Sequence, residues 1–323
     1  FRRVLFRSAF PSFSMVRIYR KISDCYRKKG MLSEAMAFLE DAELNCEQDD
    51  NISRAIIGTR KAIIHFDQNN VEDALREGCR SYKILRVTNR HQEVAHTQLL
   101  IANCYARMGE SDKSERYSLD ALSSYRRVND VVGESYVLNN LGLFHKNACR
   151  WGRALHFLNR ALEICEETGL AQHEVRVRLN LGIVYLKKRS FARAESEFER
   201  VRDMARRIGD DLRYTKATLM MGVKETRTRN LISAERRILE AKVITEKNNY
   251  RREAALCDEF LGDYMFAKGN YEEAADNYEM ALEKAREILP ESDVVAEVLR
   301  RQVEVNLALK EPEEAIRKGE EAL

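Results

Sequence analysis

The stretch LNNLGLFHKNACRWGRALHFLNRALEI, Leu138 to Ile164, carries apolar residues at helical spacing in two blocks. It predicts two helices separated by a kink of small and polar residues. Gly142 falls inside the first helix, where glycine costs about 1 kcal/mol relative to alanine. Forty residues on, LNLGIVYLKKRSFARAESEFERV places Gly182 at the same point of the same pattern.

Aligning the small residue of each second helix gives Ala35, Ala74, Ser114, Ala154, Ala194, Ala234, Ala274 and Ala315, at steps of 39 to 41. Twelve positions upstream stand Ser23, Ala62, Ala102, Gly142, Gly182, Gly222 and Gly262, with Val303 as the exception. A third column holds Asn89, Asn129, Gly169, Gly209 and Asn249. Glycine and asparagine tolerate the left-handed conformation that ends a helix, so this column marks where each helix pair stops. One period shared by three columns identifies a repeat protein. Small residues in both helices of a pair let the two approach closely, while Leu141 and Leu158, Tyr185 and Phe198, and Leu261 and Tyr278 fill the rest of the interface. Each pair leaves an apolar flank that the next one covers.

Composition agrees. The 323 residues include only 3 prolines and 14 glycines, and a third are charged, which favours helix over sheet. No apolar run approaches the ~18 residues of a membrane span, and FRRVLFRSAFPSF has no apolar core of the kind a secretory signal needs. A cytoplasmic location is expected. The seven cysteines are scattered singly without a CxxC spacing, as for reduced, buried thiols. LFRS, Leu5 to Ser8, resembles the translation of a sequencing adapter. Residues 1–14 are therefore set aside as a cloning scar or disordered lead, and the repeat array is expected to occupy 15–323. EEAIRKGEEAL stops inside a charged amphipathic helix, so the chain reads as a fragment.

In EFLGDYMFAKGNYEEAADNYEMALEKA the positions Leu261, Gly262, Gly269, Tyr271, Ala274, Tyr278 and Ala281 resemble the tetratricopeptide repeat, with Met265 in place of its usual aromatic. The resemblance covers about 15–323. It departs most in the second and sixth repeats, where His65 and Glu225 hold the aromatic position. It implies an all-α fold, a right-handed superhelical solenoid of about eight helix pairs. The long period resembles that of bacterial signal-responsive transcription regulators of the maltose-activator and sigma-54-dependent types. Animal adaptors with long repeats are a competing resemblance.

Catalytic chemistry is not evident. His91 and His96 are five apart, not the four that place two metal ligands on one helical face, and His65 and His145 fall on packing positions. No phosphate loop, dinucleotide fingerprint or nucleophile elbow is present. The chain is read as a non-enzyme with no metal and no cofactor. Charge is more informative: residues 172–252 carry 21 Lys/Arg against 11 Asp/Glu, and residues 253–323 carry 8 against 19. Such segregation steers charged partners, serves solubility, or lets two copies meet basic end to acidic end.

In the tetratricopeptide family the first helix of each pair lines a concave face that holds peptides. The resemblance carries that role onto Asn103, Arg107, Asn139, Asn140, Lys146, Arg176, Asn180, Lys187, Lys216 and Arg227. Amides there bond an extended backbone, and the cations suit acidic side chains or a terminal carboxylate; the alternative is that Asn140 and Asn180 bond within the scaffold. Leu99 and Leu219 stand where the two-carboxylate clamp of cochaperones wants polar groups. The expected partner is a protein or acidic peptide, with self-association as a further route and no membrane. The expected role is a protein–protein or peptide-binding scaffold, the regulatory arm of a larger transcription regulator. A free-standing adaptor, a scaffold within a larger enzyme, or a nucleic-acid binder using 172–252 are alternatives. Tyr136, Trp151, Phe157 and Tyr185 suit base stacking, although most fall at packing positions.

Overall fold

The computed structural model describes residues 12–322, apart from residue 291. Of the lead assigned to 1–14, residues 1–11 lie outside the described residues. Those described form sixteen helices: α1 (Ser12–Lys28), α2 (Leu32–Leu44), α3 (Asn51–Asp67), α4 (Val71–Leu85), α5 (His91–Arg107), α6 (Ser111–Arg127), α7 (Val131–Asn147), α8 (Trp151–Thr168), α9 (Ala171–Lys187), α10 (Phe191–Ile208), α11 (Asp211–Arg227), α12 (Leu231–Lys247), α13 (Arg251–Lys268), α14 (Tyr271–Ile288), α15 (Asp293–Leu309) and α16 (Pro312–Glu321). Contacts divide the chain into two units, Phe1–Ile164 and Cys165–Leu323, with the division inside α8.

Within each unit odd and even helices pair as hairpins, and each hairpin packs on the next. The odd helices also touch in succession, α1 on α3 on α5 on α7 in the first unit and α9 on α11 on α13 on α15 in the second. One face of each unit is therefore built from first helices. Alternate pairs begin on an aspartate cap: Asp50, Asp130 and Asp210 accept the backbone N–H of Ser53, Gly133 and Arg213 at 2.9, 2.8 and 3.0 Å. Ser292 caps α15 through Val295 N–H, and Pro312 opens α16, as their sequence positions lead one to expect.

The two small columns do approach, with Ser23 Oγ donating to Ala35 O at 2.8 Å and Ala234 O 3.4 Å from a Cβ built on Gly222, but the nearest atoms to each glycine of the column belong to a larger side chain. A Cβ on Gly142 would stand 2.5 Å from Leu158 Cγ, one on Gly262 2.5 Å from the Tyr278 ring, and one on Gly222 2.8 Å from Ile238. Gly182 meets Phe198 in the same way. The facing side chain lies four residues beyond the small column, so each glycine is a socket for a large knob. Where the socket is Ala62 or Ala102, the knob position holds Gly78 or Ser118. Where it is Val303, the knob is Gly319, whose absent Cβ would lie 3.8 Å from Val303 Cγ2. The eighth pair thus reverses the sizes instead of breaking the rule. Overpacking a core costs about 1–3 kcal/mol, more than the ~1 kcal/mol lost by glycine in a helix, so the socket prevails.

Asn129, Gly169, Gly209 and Asn249 adopt positive φ between pairs. Asn89 does not. α4 stops at Leu85, and Thr88 takes over the turn by donating its hydroxyl to Leu85 O at 2.7 Å and accepting Arg90 N–H at 3.2 Å. A second left-handed column lies inside the hairpins, at Gly30, Asn69, Gly109, Cys149, Arg189, Arg229, Gly269 and Lys310. The expectation of buried thiols holds only for Cys104, Cys165 and Cys257; Cys25 and Cys149 are exposed, Cys149 because it occupies one of these surface turns.

Candidate functional site

In the first unit, α3, α5, α6 and α7 enclose a groove of about 530 Å³. It opens where the third repeat puts serine instead of bulk on its second helix: Ser111, Ser114 and Ser118 all line it. Ser118 is the undersized knob opposite Ala102, and the volume a leucine or phenylalanine fills elsewhere remains open here. Three of the ten residues carried over from the family line this groove, Asn103, Arg107 and Asn140. Asn140 Nδ2 donates to Asn103 Oδ1 at 3.1 Å, and the buried Asn139 donates toward Asn140 Oδ1 at 3.5 Å. This amide relay leaves the Asn103 NH₂ without a hydrogen-bond acceptor among the described residues. Arg107 is held beside it, stacked 4.3 Å above the Phe66 ring and donating to Asn69 Oδ1 at 2.5 Å. Its charge meets no carboxylate among the described residues.

The other seven do not join them. Lys146 is half-buried on α7 and does not line the groove. Arg176, Asn180, Lys187, Lys216 and Arg227 belong to the second unit. There Asn180 is buried, Arg176 half-buried and Lys187 exposed, and Lys216 pairs with Glu253 at 2.8 Å.

Arg227 lines a separate groove of about 320 Å³ with Arg189, Arg229, Phe260, Phe266 and Tyr278. Its acids are engaged. Asp263 accepts Arg301 Nε at 2.6 Å and the Tyr278 hydroxyl at 2.9 Å, and Glu304 pairs with Arg300. Arg229 donates to the Ala267 carbonyl. No carboxylate among the described residues pairs with Arg189 or Arg227. Sequence reasoning passed over the serines and the turn arginines. The spacing of Ser111, Ser114 and Ser118 on one helical face was the signal for the first, while the arginines carry no signal in a single repeat.

Several other cations of 172–252 are engaged in internal pairs. Arg178 is buried among Glu166, Glu174 and Glu197 at 2.5, 2.7 and 3.1 Å. Lys224 pairs with Glu195 at 2.7 Å, Arg237 with Glu225 at 2.8 Å, and Lys242 with the fully buried Asp258 at 2.8 Å. Burial pushes the Cys104 and Cys257 thiols up to about 11 and about 12, far from thiolate nucleophiles. Among the described residues no helix is long and apolar enough to cross a membrane.

A tetratricopeptide-repeat family model matches residues 134–207 and 252–323. A TPR repeat-containing protein of Dictyostelium discoideum is 29% identical over 142 residues, covering 40% of this chain and 8% of that protein. The chain therefore spans under a tenth of the length of that relative. Among solved structures, the apo form of RapI superposes with a TM-score of 0.69 at 18% identity, over 85% of this chain and 99% of that one. A Rap protein complexed with competence and sporulation factor reaches 0.69 at 13%, over 97% of each chain. A STAND protein with a tetratricopeptide repeat sensor from Pyrococcus horikoshii reaches 0.66 at 20%, over 81% of this chain and 40% of that one. At these identities the likeness is one of fold.

Proposed function

We propose that this tetratricopeptide-repeat chain is a scaffold whose first-unit groove captures an extended acidic peptide. The observation that carries the reading is the pre-positioned Arg107, an unneutralised cation beside an amide donor and three serine hydroxyls. An extended backbone needs such donors and acceptors, and a carboxylate is matched by the planar guanidinium. The solved Rap complex, of similar fold, contains a bound factor, which supports a peptide as the occupant. Asn139 supports the relay from α7, and Arg176, Lys187 and Lys216 belong to the polar residues of the second unit. In a longer chain the scaffold serves as the sensory arm of a signal-responsive transcription regulator. A free-standing adaptor fits the same groove equally well.

Nucleic-acid binding through 172–252 is a second reading: Arg178, Lys224, Arg237 and Lys242 are taken up by ion pairs, so the remaining cations of the block would have to carry the phosphate contacts. The test is selection of a random peptide library on the full chain, followed by fluorescence anisotropy of the recovered peptides. Arg107→Ala and Asn140→Ala are each expected to weaken binding about tenfold, the size of a lost charge-assisted hydrogen bond. Peptides that bind both variants as tightly as the parent chain would place the site elsewhere.

A further inference from the structure

The hairpin turns of the second unit hold an unusual choice of residue. Arg189 and Arg229 occupy the left-handed turn column at φ of 59° and 61°, a column that Gly30, Gly109 and Gly269 fill elsewhere together with Asn69, Cys149 and Lys310. A long side chain is unfavourable in this conformation, and such positions cluster where a side chain is used. Both arginines line the same groove, with Arg227 between them in sequence. The acids in the groove are already engaged by Arg301, Tyr278 and Arg300. Three guanidiniums therefore share the groove with no unengaged carboxylate. The Arg227 guanidinium, though exposed along part of its surface, has a lowered pKa; burial against the groove walls is the main cause, Asp263 opposes it, and Arg301 and Arg189 add to it. Phe260 and Phe266, both only partly buried, supply an aromatic wall.

We propose that this groove is a binding site for a phosphorylated aromatic side chain of a peptide, its phosphate bridged by Arg189, Arg227 and Arg229 and its ring resting on Phe260 and Phe266. A phosphate monoester carries between about one and a half and two negative charges at neutral pH and offers three acceptor oxygens, which suits several guanidiniums. A lone carboxylate brings one charge and two oxygens, and leaves the cluster under-compensated. The groove volume, about 320 Å³, falls at the small end of ligand pockets, enough for one ring and its substituent. The site does not rest on the first-unit reading, and Arg107→Ala leaves it untouched.

The test is isothermal titration of the full chain with four probes: phenyl phosphate, phenylacetate, inorganic phosphate and benzyl alcohol. Phenyl phosphate is expected to bind at least tenfold more tightly than each of the others, and to weaken as salt is raised. The Arg189→Gly/Arg229→Gly double variant keeps the backbone geometry that glycine favours, so it is expected to melt no lower than the parent chain while losing at least tenfold in phenyl phosphate affinity. Phenylacetate binding as tightly as phenyl phosphate would make this a carboxylate site and overturn the proposal. So would phenyl phosphate affinity unchanged in the double variant, or no binding of phenyl phosphate at all.

Discussion

His145 shows how a repeat's aromatic position treats a titratable ring. It is 1% exposed and lies parallel to Phe157 with centroids 5.3 Å apart. Burial lowers its pKa from 6.5; Glu115, at 3.5 Å from Nε2, opposes the shift, and Arg153 and Arg150 reinforce it. The folded state therefore holds the ring neutral, while the unfolded chain takes up a proton near 6.5. The resulting stability is present above that value and is lost as pH falls through it toward the folded pKa. His96 is shifted in the same direction, mainly by burial, and acts alongside. Urea unfolding from pH 7.5 down to 5 is expected to show a decline that is smaller in His145→Phe, which keeps the stack. Identical slopes in the two proteins would remove His145 from the account.

At the scale of the helix pair, stability rests on matched sizes. The Gly182 socket and Phe198 knob leave no room for a Cβ, and Phe198 is itself fully buried. Gly182→Ala is expected to cost about 1–3 kcal/mol despite its better helix propensity. Adding Phe198→Leu removes ring atoms that the new methyl strikes, so the double variant should recover part of the loss. A double-mutant cycle read by denaturant midpoints checks this, with a coupling of about 0.5 kcal/mol or more expected for residues in contact. The position of the glycines was legible in the sequence because a breach of helix propensity stands out at a fixed period. Their partner was not, because a column of alanines is more conspicuous than a knob that is leucine, phenylalanine, isoleucine or tyrosine in turn. The same substitution of size for size left Ser118 small and opened the first-unit groove.

Across the second unit, the basic and acidic stretches that look segregated along the chain are stitched together. Asp258 on α13, fully buried, bonds Lys242 of α12 at 2.8 Å and Lys284 of α14 at 2.5 Å. Lys216 and Glu253 pair across successive first helices, and Arg202 and Glu240 across successive second helices, the latter at 3.3 Å. Removing one member of a buried pair costs about 3–5 kcal/mol where both are sealed from water. Here the two lysines keep partial solvent contact, so Asp258→Asn is expected to cost nearer 1–3 kcal/mol. Thermal melts at low and moderate salt would read the loss, and an unchanged melting temperature would show that water serves the lysines as well as Asp258 does. Part of the basic block thus ends as internal ties, through Arg178, Lys216, Lys224, Arg237 and Lys242.

By itself the sequence determined the helix pairs, their period and the small residues at their interface. These depend on 3.6-residue periodicity and local backbone preference, which act over a turn or two of chain. Asn103, Arg107 and Asn140 came from the resemblance to the tetratricopeptide family, which carries its peptide-facing positions onto them. Only the tertiary structure decided which cations are free, because their partners lie a whole repeat away and across two or three helices. It alone revealed the left-handed Arg189 and Arg229, whose conformation is imposed by hairpin closure against the residue's own preference. The grooves belong to it as well, since a cavity is the space left by side chains from several helices, and no single stretch of chain records that space.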